Sequence, residues 1–219
     1  NDLNLTDAKV PYYFYDIQGH IFSDLSNTDR LSLSFYGGLD DFNFDDLGFR
    51  ANWGNQTFSL AYRKLFSDLL IGNFLLAASQ FKTLFGLGGE SGLVNDNNIN
   101  DQTFAADFTF FQKKDLVWKF GFQAKRLDFV YSSSFGDTTL YDVNRSPYDM
   151  AAYLKTKIPV GEKIILEPGF RLNSYSEQTL RLFPDFRLGI KYLLTDDRYI
   201  NFALGNYHQF IQTVQDDYN

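Results

Sequence analysis

The stretch Asp115–Val130, DLVWKFGFQAKRLDFV, decides how the rest of the chain is read. Taking every second residue, Leu116, Trp118, Phe120, Phe122 and Ala124 fall on one face. Lys119, Gly121, Gln123 and Lys125 fall on the other. Alternation with period two is the signature of a strand with one apolar and one polar side. It runs here for about ten residues, roughly twice the length of a strand in a soluble sandwich. A tilted strand needs about that length to cross a bilayer. The spacing predicts an aromatic face against lipid and lysines turned towards a wet interior.

The same pattern recurs on both sides of this stretch. Tyr13, Tyr15, Ile17 and Ile21 oppose Asp16, Gln18 and His20, and Leu31, Leu33 and Phe35 oppose Ser32, Ser34 and Tyr36. Further on, Met150, Ala152 and Leu154 oppose Asp149, Tyr153 and Lys155, and Phe186, Leu188 and Ile190 oppose Asp185, Arg187 and Lys191. The pattern predicts an all-β, antiparallel transmembrane barrel wall of about ten strands. Strands are expected over 9–213, with 1–8 and 214–219 as loop remnants. Short turns are expected at 26–29, 67–68, 112–115, 160–163 and 195–198, and longer loops at 40–47, 86–101, 131–147 and 174–183. Such barrels have short periplasmic turns and long outer loops, which orients the wall. Two irregularities stand out. Between Phe49 and Phe66 the apolar positions switch from Phe49, Ala51 and Trp53 to Phe58, Leu60 and Tyr62, which predicts a bulge near Gly54. Pro168 lies inside a predicted strand, where it costs a ladder bond or marks a bulge.

Composition fits. Of 219 residues, 24 are Phe and 14 Tyr, yet mean hydropathy is only -0.27. Strands that keep one polar face produce that combination. The longest apolar run, Leu69–Ala78, is too short for a membrane helix and contains Asn73. The net charge of -7 argues against a nucleic-acid partner. Absence of cysteine excludes disulfides, thiolate metal sites and cysteine nucleophiles. The chain opens on Asn1 without a basic and apolar export signal, so a cleaved signal or a piece of a longer protein is expected, and its Asp217-Tyr218-Asn219 end favours a piece.

The candidate chemistry is sparse. His20 and His208 fall towards opposite ends of the wall and cannot share a site. Asp40, Asp41, Asp45 and Asp46 offer oxygens of the kind Ca²⁺ takes, without EF-hand spacing, and read as a solvated loop. Gly86–Gly92 matches no dinucleotide pattern and Ser91 no nucleophile elbow. No catalytic residue, metal site or cofactor is expected. The interior charges Lys119, Lys125, Arg171 and Arg187 face Asp149, Glu167 and Asp185, and pairing outweighs ligand contact for them. Tyr36 and Tyr153 could stack on a sugar or a siderophore. With Asp40 and Asp45, these six complete the ligand candidates of the lumen and loops.

Several segments carry a resemblance: Pro11–Asp16 (PYYFYD), Asp29–Gly38 (DRLSLSFYGG), Trp53–Asn55 (WGN), Leu65–Asp68 (LFSD) and Phe183–Gly189 (FPDFRLG). In style they resemble the barrel of TonB-dependent outer-membrane receptors, nearest to those with a carboxypeptidase-like regulatory domain ahead of the plug. The resemblance implies a 22-stranded barrel in a bacterial outer membrane, filled by a plug. A siderophore, vitamin, glycan or peptide would be imported when the TonB complex pulls on that plug. It implies as partners lipid, the plug and remaining strands of the same receptor, and a surface lipoprotein or larger outer-membrane complex. The sequence departs from the family in having no plug and fewer than half the strands, so a middle part of the barrel is expected. Two alternatives stay open: a structural or passive-pore subunit of a larger complex, and a free-standing ten-stranded enzyme built around His208 with Asp216 and Asp217.

Overall fold

The computed structural model describes residues 11–44, 46, 48–113, 116–178, 182–195 and 197–210. Residues 1–8, 214–219, Asp45, Asp115, Asp216 and Asp217 lie outside the described residues. The described chain forms one antiparallel sheet of eleven strands. These are β1 (Tyr12–Asp24), β2 (Asp29–Phe44), β3 (Phe49–Ser67), β4 (Leu70–Leu87), β5 (Leu93–Phe111) and β6 (Val117–Phe135). Then follow β7 (Thr138–Arg145), β8 (Tyr148–Val160), β9 (Ile164–Tyr175), β10 (Phe183–Leu193) and β11 (Tyr199–Gly205). Neighbours in sequence pair in order, except that β6 carries the short β7 at one end and β8 along the rest. The sheet is open, and β1 and β11 each pair on one side only among the described residues.

Cross-strand register places the alternating residues as the sequence predicts. Phe120 on β6 stands beside Phe108 on β5 and Leu154 on β8. Leu154 is beside Phe170, and Phe170 beside Phe186. Because partners in an antiparallel pair share a face, one continuous apolar face runs across the wall. Aromatic contacts knit it: Phe108 stacks on Phe120 with centroids 5.2 Å apart, and Phe170 meets Phe186 at 5.2 Å. The other face carries Asp16, Asp107, Lys119, Lys125, Arg171 and Arg187, and is polar. Cavities are lined on the polar face across β3–β9 and on the apolar face across β1–β6.

The wall is one layer thick. Among described apolar residues only Ala106, Ala151 and Tyr175 are buried. Ile21, Phe186 and Phe202 are each more than 60% exposed on the apolar face. A soluble monomer does not leave an apolar surface of this extent open to water. No helix among the described residues is long and apolar enough to cross a membrane.

Three expectations need correction, and the alternative left at Pro168 is decided. The segments 40–44, 93–101, 131–135 and 138–145, read as loop, are strand. Asn, Asp and Ser occupy both faces there, so the sequence loses its alternation while the hydrogen-bonded ladder continues. Connections are consequently short at both ends, and the asymmetry lies in how far the strands outrun the apolar belt. Strands are expected as far as 213, but β11 ends at Gly205 and residues 206–210 are not strand. No bulge occurs near Gly54: β3 keeps unbroken register with β2 through Phe49–Lys64, and Phe49, Ala51 and Trp53 lie on the polar face. The one irregularity in β3 falls at Leu65–Ser67. Pairing of β8 with β9 lapses opposite Pro168 between Lys155–Gly169 and Ile158–Leu166, without a register shift, so this proline costs bonds and makes no bulge.

Candidate functional site

Functional side chains of such a wall gather on its polar face, because the other face is apolar throughout the belt. The candidates read from the sequence, Asp45 aside, all lie there. Tyr36 on β2 donates its hydroxyl proton to Asp16 on β1 at 2.7 Å. Asp40 accepts from Tyr12. Lys125 on β6 forms an ion pair with Asp101 on β5 at 2.8 Å. Tyr153 on β8 reaches over Gly121 to donate to Asp107 on β5. Arg171 on β9 donates to Asn173 at 2.7 Å and to Gln123 at 3.5 Å. Arg187 on β10 lies over the Tyr207 ring, 4.6 Å from its centroid. Lys119 has no side-chain partner among the described residues. The candidates and their partners therefore form a row of local contacts spread over seven strands; Tyr153, Arg171 and Arg187 line one cavity, and no single pocket holds all of the candidates.

The partners differ from those the sequence singles out. Lys125 pairs with Asp101, which the sequence places in a loop. His208 is bonded to Asp185 at 2.5 Å, with Asp185 also accepting from Asn173 at 2.9 Å. The imidazole packs against Phe183, and Phe210 stacks on Tyr175 at 5.1 Å. The segment after β11 thus folds back over the polar face. Asp185 is the most buried large side chain of the wall, at 2% exposure. Its chemical neighbour lies 23 residues away in sequence, so only the register of β10 reveals it. His20, by contrast, meets Ser34 at 2.7 Å, and the two histidines share no partner.

Two further features were hidden by the loop reading. Above the belt the polar face becomes aromatic: Phe42 meets Phe44 at 4.7 Å and Phe49 at 5.5 Å, and Phe49 meets Phe85 at 5.5 Å. Asp40 and Asp41 are successive strand residues and so leave opposite faces, which separates the acidic oxygens grouped in the sequence. Among the described residues no group of three or more His, Cys, Asp or Glu side chains gathers to hold a metal.

No family model and no curated protein matches the chain. Solved structures do. The ferric citrate transporter FecA in its unliganded form is 14% identical with a TM-score of 0.62, covering 89% of this chain and 36% of that one. FpvA of P. aeruginosa, bound to heterologous pyoverdines, is 11% identical with a TM-score of 0.72, covering 88% and 35%. The ferric-catecholate import receptor Fiu from K12 E. coli, in its closed form, is 13% identical with a TM-score of 0.67, covering 89% and 43%. These are TonB-dependent receptors, the class the sequence resembles. The fold is that of an arc of an outer-membrane receptor β-barrel. At these identities the likeness is one of fold, and the chain spans less than half the length of the receptors it matches.

Proposed function

We propose that this chain forms part of the barrel of an outer-membrane receptor that imports a bound ligand into the periplasm, driven by the TonB complex through a plug domain. The observation that carries the reading is a single-layer wall with one apolar and one polar face, superposing on transporters and import receptors over nearly its whole length. Lipid covers the apolar face and the polar face lines the lumen. An unpaired strand edge in hydrocarbon costs several kcal/mol per polar group. The free edges of β1 and β11 therefore take further barrel strands. The end bearing the turns at 68–69 and 161–163 is the periplasmic one, and the extended ends of β2–β6 rise outside the cell. On this reading Tyr36, Asp40, Lys119, Lys125, Tyr153, Arg171 and Arg187 line the route of plug and ligand. The cargo falls among siderophores, vitamins, glycans and peptides.

The test is genetic and biochemical together. The natural polypeptide should fractionate with the outer membrane, and uptake of its ligand should be lost both on its deletion and on deletion of TonB. A soluble location, or uptake that persists without TonB, overturns the proposal.

A further inference from the structure

The polar face changes character along its length. Its extended end is aromatic, whereas the end with the turns at 68–69 and 161–163 is basic. Lys119 on β6 and Lys155 on β8 are direct cross-strand partners, so two ammonium side chains leave the same face side by side. Like charges placed directly opposite destabilise an antiparallel pair. Lys157, two residues along β8, and Arg63, across the wall on β3, line the same cavity of about 550 Å³. Asn73 and Thr109 contribute neutral polar groups there, and Glu167 is the one acid of the lining. None of the four cations has a side-chain hydrogen bond or ion pair among the described residues. Elsewhere on this face cations are matched: Lys125 by Asp101, Arg171 by Asn173 and Arg187 by the Tyr207 ring. Four cations against one carboxylate, around a cavity wide enough for a small molecule, leave a site short of negative charge.

We propose that Arg63, Lys119, Lys155 and Lys157 form a binding site for a multiply charged oxyanion, carboxylate or phosphate, on the lumen wall near its periplasmic end. The inference rests on the reading of the polar face as lumen given under the proposed function. Bound oxygens offset the Lys119–Lys155 repulsion through charge-assisted hydrogen bonds. The same chemistry can come from a free anion in the lumen or from acidic side chains of polypeptide that fills it.

The experiment uses the natural polypeptide carrying this chain, purified intact from outer membranes in neutral detergent. The wild type, a K119Q/K155Q variant and a charge-preserving K119R/K155R variant are titrated with inorganic phosphate and citrate by calorimetry. Amide exchange of the lumen-filling segment is followed in parallel. A free-anion site predicts binding by the wild type, weakened by about tenfold or more in the Gln variant, as expected for two lost charge-assisted bonds, and kept in the Arg variant. A site filled by polypeptide carboxylates predicts no phosphate binding, with faster exchange of the lumen segment in the Gln variant alone. A Gln variant that alters neither overturns the site. R63Q provides the same comparison with one charge removed, should the double variant fail to assemble. Energised uptake is scored separately. A protein that imports normally but shows neither response sinks only the anion site, and one that shows a response without TonB-dependent import sinks only the transport reading.

Discussion

Gly121 has no room for a side chain. A Cβ built there would lie 2.4 Å from the Ala106 carbonyl oxygen, 2.8 Å from an Asp107 carboxylate oxygen and 3.0 Å from the Tyr153 ring. Tyr153 is its direct cross-strand partner and crosses over it to reach Asp107 on the next strand. Gly19 on β1 is covered in the same way by Phe35, its partner on β2. A glycine under an aromatic ring is a device that pins register. The expected outcome of Gly121→Val is a loss of about 1–3 kcal/mol from overpacking, seen as a lower unfolding midpoint of the purified protein in urea. An unchanged midpoint would mean that Tyr153 does not lie over this position. At this scale the sequence tells which residues share a face but not which ones meet. Lys119, Lys125, Arg171 and Arg187 are legible as interior charges from alternation alone. Asp101 becomes the partner of Lys125 only once β5 is known to extend back to Leu93 and to hold its register.

The elements are held at their turns by small polar clusters. At the rim of the wall, where the β1–β2 turn enters β2, the first residue of the strand, Asp29, accepts from Lys64 at 2.8 Å, from Tyr62, and from Ser26 and Thr28 at 2.7 Å each. The Lys64 ammonium first, then the three hydroxyls, hold the Asp29 carboxyl far below the usual carboxylate range. A carboxylate whose folded pKa is depressed adds stability that is complete above its unfolded value, about 3.9, and is lost as pH falls towards the folded value. The hairpin around residues 25–29 is therefore expected to exchange its amides faster as pH drops below about 4, after correction for intrinsic exchange. Asp29→Asn should flatten that dependence, and a variant with the wild-type profile would contradict the assignment. Element boundaries were legible in the belt and illegible beyond it, for one reason. Within the belt one face carries an apolar residue at nearly every second position. Beyond it, as in Leu93–Asp101 and in β7, both faces tolerate Asn, Asp and Ser, and strand and loop look alike in sequence.

For the whole molecule, the decisive property is a sheet with almost no core. The three buried apolar residues among those described cannot stabilise a chain of this length in water, whereas a bilayer would remove the entire apolar face from water at once. This was legible in the sequence, because long period-two runs rich in Phe and Tyr with a modest mean hydropathy have few other physical explanations. What the wall carries was less legible. The basic patch around Lys119 and Lys155 arises from strands that the sequence separates by more than thirty residues and is set by register.

The central claim is that the apolar face meets lipid and the polar face meets water. This chain has no cysteine, so single cysteines introduced at Trp118, Lys119, Phe120, Phe122, Gln123 and Lys125 each place one nitroxide in it, with any cysteine elsewhere in the natural polypeptide replaced by serine. In the natural polypeptide reconstituted into vesicles, relaxation by oxygen and by a water-soluble nickel chelate should alternate with period two. Oxygen should dominate at 118, 120 and 122, where the label sits in hydrocarbon. Relative to those sites, 119, 123 and 125 should show low oxygen and higher nickel accessibility. Equal accessibility on both faces, or alternation with the opposite phase, would contradict the account.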